Sequence, residues 1–196
     1  MMKRLDFIES QIRPVIFLTL TLIILLPTQT AIAQAVPETV VKVEPSASSA
    51  NVDEKFTVNI TVVDVNNLYG VDVTLNWDAS ILHVLSVDLR LGVQSHADGV
   101  LYESPSPPYI FVVENNVVQE RGKYRLGATS IGPAPPFNGS GNIVRITFNA
   151  TNSGISKLDL ETQLWDYPSP IQGSSPIEHI TVDGFLEIIP EFPNIS

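Results

Sequence analysis

The sequence has 196 residues, a length that bounds it to one ordinary domain or two small ones. Eleven Lys and Arg against 21 Asp and Glu give a net charge of −10, which argues against nucleic acid; zero cysteines exclude disulfide scaffolds, thiolate metal sites and cysteine nucleophiles. With 44% apolar and 16% charged residues the chain can bury a core, and 15 prolines with 11 glycines point to the many turns of a short-stranded all-β protein.

At the start, Lys3, Arg4 and Arg13 precede an uncharged run from Val15 to Leu26, and Ala31-Ile32-Ala33 follows. Basic segment, apolar segment and A-x-A site in that order predict a secretory signal peptide over 1–33, cleaved after Ala33 or Ala35, and a linker over 34–37. The apolar run is short of the ~20 residues that a spanning helix needs. An uncleaved signal anchor is the alternative, and either leaves the rest of the chain secreted or at the cell surface. Cleavage after Ala33 removes three basic and two acidic side chains, leaving 8 against 19 and a net charge of −11.

Period-two alternation dominates the rest of the chain. Phe56, Val58, Ile60 and Val62 alternate with Thr57, Asn59 and Thr61, and Val71, Val73, Leu75 and Trp77 alternate with Asp72, Thr74 and Asn76. Val144, Ile146, Phe148 and Ala150 oppose Arg145, Thr147 and Asn149; Ile180, Val182, Leu186 and Ile188 oppose Thr181, Asp183 and Glu187. Shorter strands are predicted at about 39–43, 81–88, 99–103, 109–114, 122–130 and 157–164. Turn chemistry separates them at Asn66-Asn67, Asn115-Asn116, Asn152-Ser153-Gly154 and the proline-rich stretches 104–108 and 133–136. No stretch repeats a helical period long enough for a substantial helix. Nine or ten strands at this spacing predict an all-β sandwich of two antiparallel sheets.

Residues Gly70 to Val84 are more specific. The strand ending in Trp77-Asp78, followed by Leu82-His83-Val84, resembles the strand-turn-strand signature of the cohesin family, with Ala79 where that family often has proline. The downstream order is similar too: Gly122 to Ile131 as a central strand, Gly139-Ser140-Gly141 leading into Ile146-Thr147-Phe148, Asn152-Ser153-Gly154 before Leu158 and Leu160, and Val182-Asp183-Gly184 near the end. The resemblance covers 38–189. It implies a nine-stranded jelly-roll β-sandwich that performs no catalysis and docks a dockerin module of another protein, which itself binds the calcium. Carbohydrate binding is the runner-up function, and a structural role in the cell envelope a third.

Asp72, Thr74 and Asn76 project from one side of their strand and are the candidate partner-binding residues. Asp72 falls at an aspartate position of the family, whereas a glutamate common on its central strand has no counterpart near Ala128 and Thr129. A solvated sheet face explains the same pattern equally well. Trp77 is expected in the core and Asp78 in the turn. Trp165 and Tyr167 are candidates for stacking on sugar rings, with packing over the sandwich end as the competing explanation. His83, His96 and His179 share no metal-ligand spacing, and Asp53-Glu54 lacks a calcium-loop pattern, so neither a metal nor a cofactor is expected. Asn59, Asn138, Asn149 and Asn194 begin Asn-x-Ser/Thr sequons, and Asn59 and Asn149 fall on outward phases.

Over 190–196, Pro190-Glu191-Phe192-Pro193 stops the last strand and resembles an archaeal surface-sorting signal, here followed only by Asn194-Ile195-Ser196.

Overall fold

Alternating β-branched and polar residues produce strands throughout the computed structural model, which describes residues 38–190. The predicted signal peptide (1–33), the linker (34–37), the sequon at Asn194 and the Glu191-Phe192-Pro193 part of the tail motif lie outside the described residues.

The described residues form eleven strands: β1 (Val40–Glu44), β2 (Ala47–Asn51), β3 (Lys55–Asn76), β4 (Leu82–Leu89), β5 (Ile110–Val118), β6 (Lys123–Ser130), β7 (Phe137–Ala150), β8 (Gly154–Asp166), β9 (Pro176–Ile177), β10 (Ile180–Val182) and β11 (Gly184–Ile189). The first part of β3 pairs antiparallel with β1 and β7; β7 pairs with β4, and β1 takes β10 in parallel. The second part of β3 pairs antiparallel with β6 and β8; β6 also pairs with β5, and β8 with β9. The opening residues of β8 pair with β11, which takes β2 in parallel. Inward side chains of both arrays enter one core, Val41, Ile60 and Ile146 from the first, Val73, Leu75 and Leu126 from the second. The chain is all-β as the alternation predicts, with the parallel pairs β1–β10 and β2–β11 added to the expected antiparallel ones.

β3 differs most from its expectation. The predicted turn at Asn66-Asn67 is absent, and the run 56–62 and residues 71–76 of the next run belong to one 22-residue strand. Register shifts between Val62 and Leu68, with Asp64 at φ 53° and Asn67 at φ 63°, mark bulges that carry the strand from one array to the other. Asp and Asn tolerate the left-handed region that these positions require. Asn115-Asn116 is likewise inside β5, and the β5–β6 turn falls later, on a 3-10 turn at Gln119–Arg121. Gly122 ends that turn at φ 55°, and its carbonyl accepts the Trp77 N–H at 2.8 Å. The 180–188 run divides at Asp183, whose Oδ1 accepts the Leu160 N–H at 2.9 Å. Ile180 and Val182 consequently stand 42% and 38% exposed, outside the core that holds Leu186 and Ile188. The 99–103 stretch supplies buried Val100 and Leu101 but only an isolated bridge, Gly92 to Leu101.

One charged cluster ties the long connection after β4 to β7. Arg90 Nη2 donates to Asp98 Oδ1 at 2.6 Å, and Asn142 Nδ2 donates to Asp98 Oδ2 at 2.7 Å. The Arg90 bond first, then the Asn142 bond, hold the Asp98 carboxyl down to about 2 against the opposing effect of burial. A depressed carboxylate stabilises the fold above its unfolded pKa of about 3.9, and that contribution disappears as pH falls through about 2. Wild-type protein is therefore expected to lose more Tm between pH 6 and pH 2 than Asp98→Asn does, measured by circular dichroism melts.

Candidate functional site

The outward face of β5, β6, the second part of β3, and β8 gathers the candidate residues. Because Val71, Val73 and Leu75 point into the core, Asp72, Thr74 and Asn76 point away from it and are half-buried between their neighbours. Asp72 lies between Gly127 of β6 and Gln163 of β8, Thr74 between Arg125 and Glu161, and Asn76 between Lys123 and Asp159. The three residues thus form one line along the middle of a mixed-charge face. Arg125 Nη1 stands 3.3 Å from Glu114 Oε2 across the β5–β6 ladder, an exposed pair of small energetic weight. No hydrogen bond or ion pair engages the Asp72 carboxylate among the described residues, so it is available to a donor from outside.

Beside Asp72 the face sinks into a groove of about 350 Å³. Its floor lies at Gly70, which is buried beside Thr129 and Trp165, and at Gly127, where no side chain fills the space; Glu114 and Arg125 line one side and Trp165 the other. A Cβ at Gly127 would meet Val113 Cβ at an ordinary 3.7 Å, so the space above this residue is open rather than filled by the fold. Val113 itself is the extra residue of a β5 bulge between Val112 and Glu114 and is 69% exposed. With Phe111 and Tyr109, also exposed, it makes the β5 side of the face apolar. A second depression of about 250 Å³ continues along Asp72, Thr74, Arg125, Glu161, Thr162 and Gln163, where polar groups dominate. The face therefore offers a pocket for an apolar side chain next to a row of hydrogen-bonding groups.

Gly70, Gly127, Val113 and Arg125 are residues that the sequence does not single out. Nothing local marks them: their meeting depends on the register among β3, β5, β6 and β8. Near the missing family glutamate, Ala128 is buried on the core side, and Thr129 lines the groove with its Oγ1 donating to the Tyr69 carbonyl at 3.1 Å.

The remaining candidates are dispersed. Trp77 is buried as expected, its Nε1 donating to the Leu82 carbonyl at 3.1 Å. Asp78 caps the following turn: its Oδ1 accepts from Ser80 Oγ at 2.6 Å and Ser80 N at 2.9 Å, and these bonds hold its pKa below the usual carboxylate range. Trp165 is half-buried opposite Gly70 in the groove. Tyr167 lies past the end of β8, 41% exposed, with its ring edge-on to Tyr69 at 4.8 Å between centroids. His179 bonds Thr162 Oγ1 at 2.8 Å and the Ile177 carbonyl at 2.7 Å, His83 is exposed on β4, and His96 lies in the connection after it. Among the described residues, no group of three or more His, Asp or Glu side chains is placed to hold a metal ion.

Comparison with known proteins converges on one family. The cohesin domain family model matches residues 41–169. None of the curated proteins compared matches significantly. The fold is similar to the seventh ScaB type I cohesin from Pseudobacteroides cellulosolvens, with a TM-score of 0.58 and 19% identity over 81% of this chain and 97% of that one. It is similar to a non-cellulosomal cohesin from the hyperthermophilic archaeon Archaeoglobus fulgidus, with a TM-score of 0.54 and 15% identity over 78% and 91% of the two chains. A type I cohesin–dockerin complex from Clostridium thermocellum contains a further similar chain, with a TM-score of 0.56 and 14% identity over 78% of this chain and 99% of that one. The match to the family model spans well over half of the sequence, and the fold is similar to solved cohesins: the chain belongs to the cohesin domain family.

Proposed function

We propose that this chain is a non-catalytic, extracellular protein-binding module that docks a dockerin-like partner on the β5–β6–β3–β8 face. The observation that carries this reading is the line of Asp72, Thr74 and Asn76 beside a groove floored by Gly70 and Gly127. A partner helix laid on the face would place one apolar side chain in the groove and polar groups along the line, dividing affinity and register between them. Similar chains have been solved in complex with dockerins, which supports the same choice of partner. Calcium would belong to the partner's loops, not to this face. The acidic balance of the chain favours a partner with basic patches and makes the association rate fall with salt.

Export rests on the basic, apolar and A-x-A order of residues 1–33, and surface sorting on the Pro190-to-Pro193 motif. No helix of the described residues is long and apolar enough to cross a membrane.

Titrating the protein against a panel of recombinant duplicated calcium-loop modules, with and without chelator, tests the reading. Saturable binding to at least one module in calcium, abolished by the chelator, is the expected result. Absence of binding to every module of the host genome would remove it.

Trp165 gives glycan binding a specific footing as the second reading, since its indole lines the groove. If glycans occupy this groove, Trp165→Ala with Tyr167→Ala abolishes retention on insoluble polysaccharide. The docking reading expects no retention by the wild-type protein at all.

A further inference from the structure

The sequons of this chain are distributed unequally over the two faces of the sandwich. Asn59 lies in the first part of β3 and Asn149 in β7, both outward, on the array opposite the groove. Asn138 lies at the start of β7, at the far end of the same β3–β7 ladder. Asn59 opposes Arg145, and Asn149 opposes Lys55 of β3 and His83 of β4. Four residues of strand therefore separate Asn59 from the position opposite Asn149, roughly 14 Å at ~3.4 Å per residue. The groove face contains Asn76 and Asn116, neither of which is followed at the second position by Ser or Thr.

The side-chain chemistry at these positions is equally specific. A sugar is joined to asparagine through Nδ2, so that atom must be free while the residue holds its place in the strand. Arg145 Nε donates to Asn59 Oδ1 at 3.1 Å, and the Asn67 N–H donates to Asn138 Oδ1 at 2.8 Å. In both residues the carbonyl oxygen anchors the amide, and among the described residues no hydrogen bond engages Nδ2 of Asn59, Asn138 or Asn149. Around them the outward positions of the ladder are Thr57, Thr61, Arg145 and Thr147, with the Thr57 and Thr147 hydroxyls 3.1 Å apart. These positions are polar, in contrast to the exposed Phe111 and Val113 at the side of the groove.

We propose that Asn59, Asn138 and Asn149 are N-glycosylated, and that the sugars cover the β3–β7 face while leaving the groove face bare. That the bare face is the docking face rests on the function proposed above. The consequence is a module with one shielded and one adhesive side, which restricts partners to a single approach.

The full chain is to be secreted from a host that modifies Asn-x-Ser/Thr sites, treated with an amidase in heavy-oxygen water, and mapped by peptide mass. Labelled aspartate at positions 59, 138 and 149 is the expected result. A peptide found unmodified overturns the assignment of its residue, and a bare polypeptide overturns all three. Asp72→Asn supplies an internal comparison, because with Thr74 it creates a sequon on the groove face. This variant is expected to gain one further sugar and to lose at least roughly 30-fold in affinity for a recombinant calcium-loop module. The amidase leaves aspartate at position 72, so treatment should restore binding. Native sugars that themselves weaken binding more than about threefold, a loss larger than a rim contact gives, overturn the separation of faces. Labels at all three sites with unimpaired binding by glycosylated Asp72→Asn would instead overturn the docking reading and leave the glycan sites standing.

Discussion

Phe148→Ala lowers the stability of the fold by about 3–5 kcal/mol, the range for emptying a large aromatic site in a packed core. Phe148 is completely buried on β7 and opposes Phe56 of β3, with ring centroids 5.5 Å apart and planes nearly parallel. On its other side the Trp77 ring, at the exit of β3, meets it edge-on at 5.3 Å. Phe148 therefore contacts residues at both ends of the longest strand, and its loss leaves a cavity between them. Since domains are stable by only about 5–15 kcal/mol, the variant retains a fraction of the native margin. Tm should fall by roughly 6–20 °C, at about 2–4 °C per kcal/mol for a chain of this size. Urea denaturation followed by tryptophan fluorescence measures the change, with Leu85→Ala, at an exposed site of β4, expected within about 0.5 kcal/mol of wild type. A Phe148→Ala protein as stable as wild type would mean that the core does not close around this ring.

Alternation makes much of this core legible in the sequence. Phase alone assigns Val58, Ile60 and Val62 to the inside, and likewise Val71, Val73 and Leu75, and all six are buried. Period-two patterning works here because each strand has one wet face and one dry face. Where it misleads, a local rule competes with pairing. Asn66-Asn67 has turn chemistry, yet positive φ at Asn67 serves a bulge inside β3, because the same residue types tolerate both conformations. Ile180 and Val182 keep the apolar phase of Leu186 and Ile188, but Asp183 interrupts the strand, and β10 joins β1 while β11 joins β8. Ala47–Asn51 has little strand propensity of its own and is a strand because β11 offers it a parallel partner.

Of the candidate site, Asp72, Thr74 and Asn76 are readable, since one strand suffices to set their common direction. The groove beside them is not. Gly70 and Gly127 are 57 positions apart and become one floor only through the Asp72–Gly127 register. Val113 reads as an ordinary strand residue until the bulge places it outward over Gly127. Distant register, unlike periodicity, leaves no signature in a single sequence.

That floor makes Gly127→Trp the most direct perturbation of function. The indole has open space to enter, because a Cβ at Gly127 finds only Val113 Cβ at 3.7 Å and the Glu114 nitrogen at 4.0 Å. Gly127 does not have a positive φ, so a larger residue brings no left-handed strain and the β5–β6 and β3–β6 ladders persist. Stability should therefore change by less than about 1 kcal/mol, as for most substitutions at open sites. Binding should respond quite differently. A filled groove rejects the apolar anchor of a partner and lifts the rest of its surface from Asp72 and Thr74, a loss of about 2–4 kcal/mol or roughly 30- to 1,000-fold in Kd. Gly127→Ala, which adds a single methyl group at ordinary contact distance, should bind within a few-fold of wild type and separates occupation of the groove from loss of glycine itself. Calorimetric titration with a calcium-loop module, paired with thermal melts of both variants, reads affinity and folding independently. Wild-type affinity in a folded Gly127→Trp protein would place the partner elsewhere on the sandwich, since no helix can approach Asp72 closely past an indole standing beside it.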